Sequence, residues 1–126
     1  PNYKQLIADG FSTRVTLSTH ALTDAVRRVS LLSNKVSPVQ IKVDAESGVM
    51  TLVTNSQDIG NAQENLICEI EGESVDIAFN YSFLLDGLNS ITTDAVHLDL
   101  FGSMKPGILR ATEGENFLYL IMPVRV

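Results

Sequence analysis

Apolar and polar residues alternate along many short stretches of this chain, and two segments interrupt that rhythm with helical spacing. Arg14-Val15-Thr16-Leu17-Ser18 alternates and reads as a strand. Leu22, Ala25, Val26, Val29 and Leu32 then recur at three- and four-residue intervals, with Thr23, Asp24, Arg27 and Arg28 largely on the other side. The pattern predicts an amphipathic helix of about 13 residues ending near Ser33-Asn34, with Ser18, Thr19 and Thr23 as capping hydroxyls. Three strands follow. Residues 39–43 and 49–54 flank a Glu46-Ser47-Gly48 turn, residues 55–61 read as a loop, and residues 65–71 form the third strand.

The order then repeats. Residues 75–79 alternate, Asn80 can cap a helix carrying Leu84, Leu85 and Leu88, and strands at 96–100, 108–111 and 117–122 follow. The chain thus reads as strand, helix and three strands, twice over. The unit is about 60 residues long and repeats in pattern, not in identity. Two such halves related by a pseudo-twofold make an α+β domain, each half a sheet with an apolar face and a helix to one side. The 126 residues suit one domain. No apolar run approaches the roughly 20 residues of a membrane span. Residues 1–30 show no basic start followed by an apolar block, so no signal peptide is expected. A start at Pro1 rather than Met suggests a cut piece of a longer protein, or an engineered chain.

Charge sharpens the picture. The net charge is −6, and no Lys or Arg occurs between Lys42 and Lys105. A free-standing nucleic-acid binder would show the opposite bias. The acids can form a solvated face, or a face that meets a basic partner. Arg27 and Arg28, on the polar side of the first long helix, can likewise be a solvated face or contact phosphate without reading bases. His20 and His97 have no evident partners and read as surface residues, so neither suggests a metal or acid/base site. The lone Cys68, in an alternating stretch, reads as a buried strand thiol, which suits a reducing compartment. There is no Walker-type glycine loop, nucleophile elbow or marked carboxylate pair. The chain ends on Leu118-Tyr119-Leu120-Ile121-Met122-Pro123-Val124-Arg125-Val126, strongly apolar where ends are usually polar. Pro123 should stop strand pairing, so the last three residues should leave the sheet. The segment can complete the core, or line a groove for which Met is well suited.

These residues carry a family resemblance. Tyr119-Leu120-Ile121-Met122-Pro123-Val124-Arg125-Val126 resembles the terminal Y-hydrophobic-hydrophobic-M-P-hydrophobic-R-hydrophobic signature of bacterial DNA sliding clamps, the beta subunit of DNA polymerase III. Phe79-Asn80-Tyr81-Ser82-Phe83-Leu84-Leu85-Asp86-Gly87-Leu88 resembles the family's F-N-x-x-Y-L-x-D-x-L segment, with Phe83 where many clamps have Tyr. Ser103-Met104-Lys105-Pro106-Gly107 resembles its K-P-G loop. Tyr3-Lys4-Gln5-Leu6-Ile7 resembles the Y-R-Q-L-I segment joining the second and third domains, with Ala8 in place of a frequent Pro. Leu31-Leu32-Ser33-Asn34 resembles the end of the third domain's first helix. The five segments stand in family order across nearly the whole chain.

The resemblance implies the DNA-clamp fold, two pseudo-symmetric β-α-β-β-β units with two helices on one side of the sheets. It implies that residues 1–126 are the C-terminal domain of a three-domain protomer, two of which close head to tail around duplex DNA as a homodimer ring. It implies a non-catalytic, cytoplasmic processivity factor without metal or cofactor. A peptide-binding groove would use Pro1, Gln5, Leu6, Asn80, Phe83, Met104, Pro106, Leu120, Met122, Pro123, Val124 and Arg125. That groove would take a short motif rich in Gln, Leu and Phe from replicative and translesion polymerases, the clamp loader and mismatch repair proteins. The ring contact would use Leu31 and Leu32, with Glu64 facing basic groups of the next protomer. Arg27 and Arg28 would face DNA, non-specifically and only in the closed ring. The competing expectations are a stand-alone interaction module unrelated to replication, which five ordered segments do not suit, and a small hydrolase, for which no constellation exists.

Overall fold

In the computed structural model, residues 3–31, 38–56, 60–114 and 117–125 are described, the side chains of Tyr3, Ser56, Gly60 and Asn61 excepted. A short helix α1 (Tyr3–Asp9) precedes β1 (Thr13–Ser18) and α2 (Thr19–Leu31). Then come β2 (Val39–Asp44), β3 (Val49–Ser56), β4 (Gly60–Ile67) and β5 (Glu69–Gly72). The second half holds β6 (Val75–Phe79), α3 (Tyr81–Asn89), β7 (Ala95–Leu100), β8 (Gly107–Ala111) and β9 (Leu118–Ile121).

The strands form two antiparallel sheets, ordered β5-β1-β7-β8-β9 and β4-β3-β2-β6. Each half gives its first strand to the other half's sheet. β1 lies on β7, with Val15 opposite Leu98, and β6 lies on β2, with Ile77 opposite Ile41. The element order repeats as expected, but the expectation that each half makes its own sheet is corrected: the exchange of β1 and β6 makes each sheet depend on both halves.

Alternation decides which side chains enter the core. Val15 and Leu17, Val39, Ile41 and Val43, Met50 and Leu52, Ile77 and Phe79, and Val96, Leu98 and Leu100 are all buried in one cluster. Leu22, Ala25, Val26 and Val29 of α2 and Leu84 and Leu88 of α3 join it, and the two helices pack against each other. Burying a side chain of this size contributes roughly 1.5–3 kcal/mol, so this shared cluster dominates the fold's stability. Asn80 caps α3 as expected, its side-chain oxygen accepting from the Phe83 N–H at 3.2 Å. Gly87 lets α3 approach the sheet, since a Cβ there would lie 2.7 Å from both Leu109 and Tyr119 side chains.

Three further expectations need correction, and residues 3–9 add a helix where the sequence pattern assigns no element. The loop expected over residues 55–61 is partly strand, because the β3–β4 pairing continues through Asn55 opposite Asn61 to Ser56 opposite Gly60. The strand expected over residues 65–71 is two strands in different sheets, β4 beside β3 and β5 beside β1, with the change at Cys68. Cys68 is therefore a half-buried crossover residue, its N–H donating to the Gly48 carbonyl at 2.9 Å. Pro123 does not end pairing. The tail leaves the β9 sheet, but Pro123 bridges Phe79, and the Val124 N–H donates to the Ala78 carbonyl at 2.9 Å. This contact draws its hydrogen bond from Val124, so proline's missing N–H costs nothing here. The expected helix end at Ser33-Asn34 lies outside the described residues.

Candidate functional site

The tail's crossing from β9 to β6 shapes one wall of a cleft of about 530 Å³. β2 contributes Gln40, Ile41 and Lys42 to its lining, and β6 contributes Asp76, Ile77 and Ala78. Ser103 and Met104 come from the turn between β7 and β8, and Val124 and Arg125 from the tail. Met104 is 56% exposed, a large apolar side chain held at the surface beside polar and cationic groups. Ile41, Ile77 and Ala78 are buried beneath the cleft, so its accessible side chains are mixed, Met104 and Val124 beside Gln40, Lys42, Asp76, Ser103 and Arg125, a combination that can fix both affinity and orientation.

Of the twelve residues expected to form a groove, the cleft brings together Met104, Val124 and Arg125. Pro123 stands at its border through the bridge to Phe79. Leu120 is half-buried on β9 opposite Ile108, and alternation puts Met122, 51% exposed, on the same side. Asn80 is engaged as the α3 cap, the neighbouring Phe83 is 56% exposed, and Pro106 is buried. Gln5 and Leu6 sit on α1, where the Gln5 amide donates to Asp9 at 2.9 Å and Leu6 is half-buried; neither lines the cleft. Pro1 lies outside the described residues. Gln40, Lys42, Asp76 and Ser103 were not anticipated. Gln40, Lys42 and Asp76 reach the cleft only through the pairing of β2 with β6, which no local pattern encodes, and Ser103 reaches it from the β7–β8 turn.

Leu31 ends α2 with 68% of its surface exposed, as its position off the apolar stripe predicts. Leu32 lies outside the described residues. Glu64 has a partner within the chain: Arg28 grips it with two hydrogen bonds of 2.9 and 3.1 Å. The hydrogen bond to Arg28 holds the Glu64 carboxyl below its usual range and raises the guanidinium. A residue expected at a protomer contact and one expected at DNA are thus tied to each other. Arg27 is exposed beside His20 and Asp24 in a second cleft at the start of α2. Among the described residues, no helix is long and apolar enough to cross a membrane.

The acidic stretch is likewise not all surface. Asp99, 1% exposed, accepts from Arg14 at 2.6 and 2.8 Å and from Arg110 at 2.9 Å, joining β1, β7 and β8. Its hydrogen bond raises Arg14, whose guanidinium also stacks 4.5 Å from the Phe11 ring. Both histidines have partners after all. His97 shares a 2.7 Å hydrogen bond with Thr16, its cross-strand neighbour, and His20 lies 3.0 Å from Asp24 one helical turn on. Desolvation, then the nearby Arg14, pushes His97 below the ordinary imidazole range. Burial pushes the Cys68 thiol up, which disfavours the reactive thiolate. Among the described residues no three His, Cys, Asp or Glu converge to hold a metal ion.

Fold and cleft together define an α+β domain of two strand-exchanged halves with a mixed apolar and cationic cleft at the tail. Residues 4–125 match the model of the DNA polymerase III beta subunit, C-terminal domain, and the chain belongs to that family. It is 36% identical to the beta sliding clamp of Streptomyces coelicolor over 132 aligned residues, covering all of this chain and 35% of that protein. It is 31% identical to the beta sliding clamp of Synechococcus elongatus, covering 34% of it. The crystal structure of the Thermotoga maritima DNA polymerase III beta subunit superposes with a TM-score of 0.88 at 29% identity, over all of this chain and 34% of that one. The Bacillus subtilis sliding clamp gives 0.89 at 27% identity, over 34% of its chain. The chain spans about a third of the length of these relatives.

Proposed function

We propose that this chain is the third of three domains in a sliding-clamp protomer, and that two protomers close into a ring around duplex DNA. The ring is a processivity factor. It tethers a polymerase by raising its effective concentration at the primer end, and it needs no catalytic group. The family match over residues 4–125 carries this reading. In it, Leu31 and the α2–β4 flank meet the next protomer, Arg27 faces DNA phosphates, and the protein works in the cytoplasm. Polymerases, the clamp loader and mismatch repair proteins dock through a short motif of the form Gln-Leu-x-Leu-Phe. The apolar surface of Met104, Leu120, Met122 and Val124 supports that mode, since a few buried anchors carry most of such binding energy.

The ring is tested by sedimentation of the three-domain protein. It should be a dimer that Leu31→Ala with Leu32→Ala weakens, each lost contact costing roughly 1–3 kcal/mol. An unchanged dimer across a dilution series counts against the contact. The domain alone, at net charge −6, should bind duplex DNA negligibly at physiological salt, because it releases too few counterions. Nanomolar sequence-specific binding in fluorescence anisotropy would contradict the clamp reading.

A further inference from the structure

Among the described residues some cations are held by acids of the same chain, and others, Arg27 and Lys105 among them, have no ion pair. Arg14, Arg28 and Arg110 are each held by an acid of the same chain. Lys42 and Arg125 line the cleft on opposite sides, one from β2 and one from the tail, and among the described residues neither side chain has an ion pair. Asp76 faces Lys42 across the β2–β6 register and is the one acid in the lining, yet the two form no bridge within 4.0 Å. A strongly acidic domain therefore keeps two uncommitted cations at one cleft. Gln40 and Ser103 add hydrogen-bonding groups to the same lining, together with the exposed Met104.

We infer that Lys42 and Arg125 read a carboxylate that flanks the apolar anchors of the docking peptide, so that partners with an acidic residue beside the motif are preferred. The inference rests on the docking function proposed above and extends it to partner chemistry. The occupant is an extended peptide whose Leu and Phe anchors meet the apolar wall while the flanking carboxylate lies between β2 and the tail. Charge complementarity at a half-open cleft acts on specificity and association rate, and it weakens with salt. The carboxylate can come from a Glu side chain or from a free peptide C-terminus, and both present the same two oxygens.

Three amidated peptides separate the possibilities by calorimetry: Gln-Leu-Ser-Leu-Phe alone, the same core with Glu-Glu at both ends, and the core with Gln-Gln at both ends. A fourth, the bare core with a free C-terminus, isolates the second source. The Glu-flanked or free-acid peptide should bind about three- to tenfold tighter than its neutral counterpart, a preference that shrinks at 0.5 M salt and at least halves in Lys42→Gln. Equal affinity of charged and neutral peptides overturns the inference and leaves the docking function standing. A preference that Lys42→Gln and Arg125→Gln together leave intact overturns it as well. Failure of every peptide to bind removes both.

Discussion

The two halves of this domain end differently, and the difference locates the cleft. In the first half the chain crosses at Cys68 and lays β5 along β1 over four register pairs, from Thr16 opposite Glu69 to Thr13 opposite Gly72. In the second half it crosses at Pro123 and meets β6 at the equivalent place, through one bridge and one hydrogen bond from Val124. Each crossing follows an exposed apolar residue, Ile67 in one half and Met122 in the other. The first crossing seals an edge strand and ends in a turn. The second leaves its edge lightly covered and opens a cleft beside it. One chain pattern used twice thus gives structure in one half and an accessible surface in the other.

The sharpest break of this comparison is at the sealed edge. Gly72 has φ +107°, and a Cβ there would lie 2.0 Å from the Ser12 carbonyl oxygen, so Gly72→Val should detach β5 or unfold the domain. Urea denaturation should show a loss of about 3 kcal/mol or more, since backbone strain and steric overlap add. Next is Asp99→Asn. It removes the charge that holds Arg14 and Arg110 and should cost about 2–3 kcal/mol, less than a fully buried pair because both arginines reach solvent. At the open edge, Met122→Ala should leave the denaturation midpoint nearly unchanged while weakening motif-peptide binding about tenfold, the cost of truncating a pocket anchor. Asn80→Ala, which removes the α3 cap, should cost about 1 kcal/mol.

The smallest effect is on pH dependence. His97 is depressed in the folded chain by burial and by Arg14, so below the ordinary imidazole range the unfolded chain binds the proton more readily. Stability should therefore fall as pH drops through that range, and rise again with pH. His97→Gln should flatten this slope in denaturation curves recorded from pH 7 to pH 5, and a slope unchanged by the substitution would assign it elsewhere.

Much of this fold is legible along the chain because alternation is local. The β2–β3 hairpin, α2, α3 and its Asn80 cap follow from spacing and turn residues alone. The break at Cys68 is hidden because Leu66, Cys68 and Ile70 keep the same face toward the core while the strand changes sheet. Periodicity records sidedness, not the partner strand. Asp99 reads as one more surface acid for the same reason: its neighbours Arg14 and Arg110 arrive through β1 and β8, 85 and 11 residues away. The apolar tail flags Met122 and Val124 as candidates, but Lys42, Gln40 and Asp76 join the cleft only once β6 has crossed to β2.

The central claim, that the open edge is the docking surface, is tested most directly by chemical-shift titration with a Gln-Leu-x-Leu-Phe peptide. The account predicts micromolar affinity, on the order of −7 to −8 kcal/mol at best. Shifts should centre on Met104, Met122, Val124 and Arg125. Shifts centred instead on Leu31 or on the acidic strands β4 and β5, with none near Met122, would contradict it.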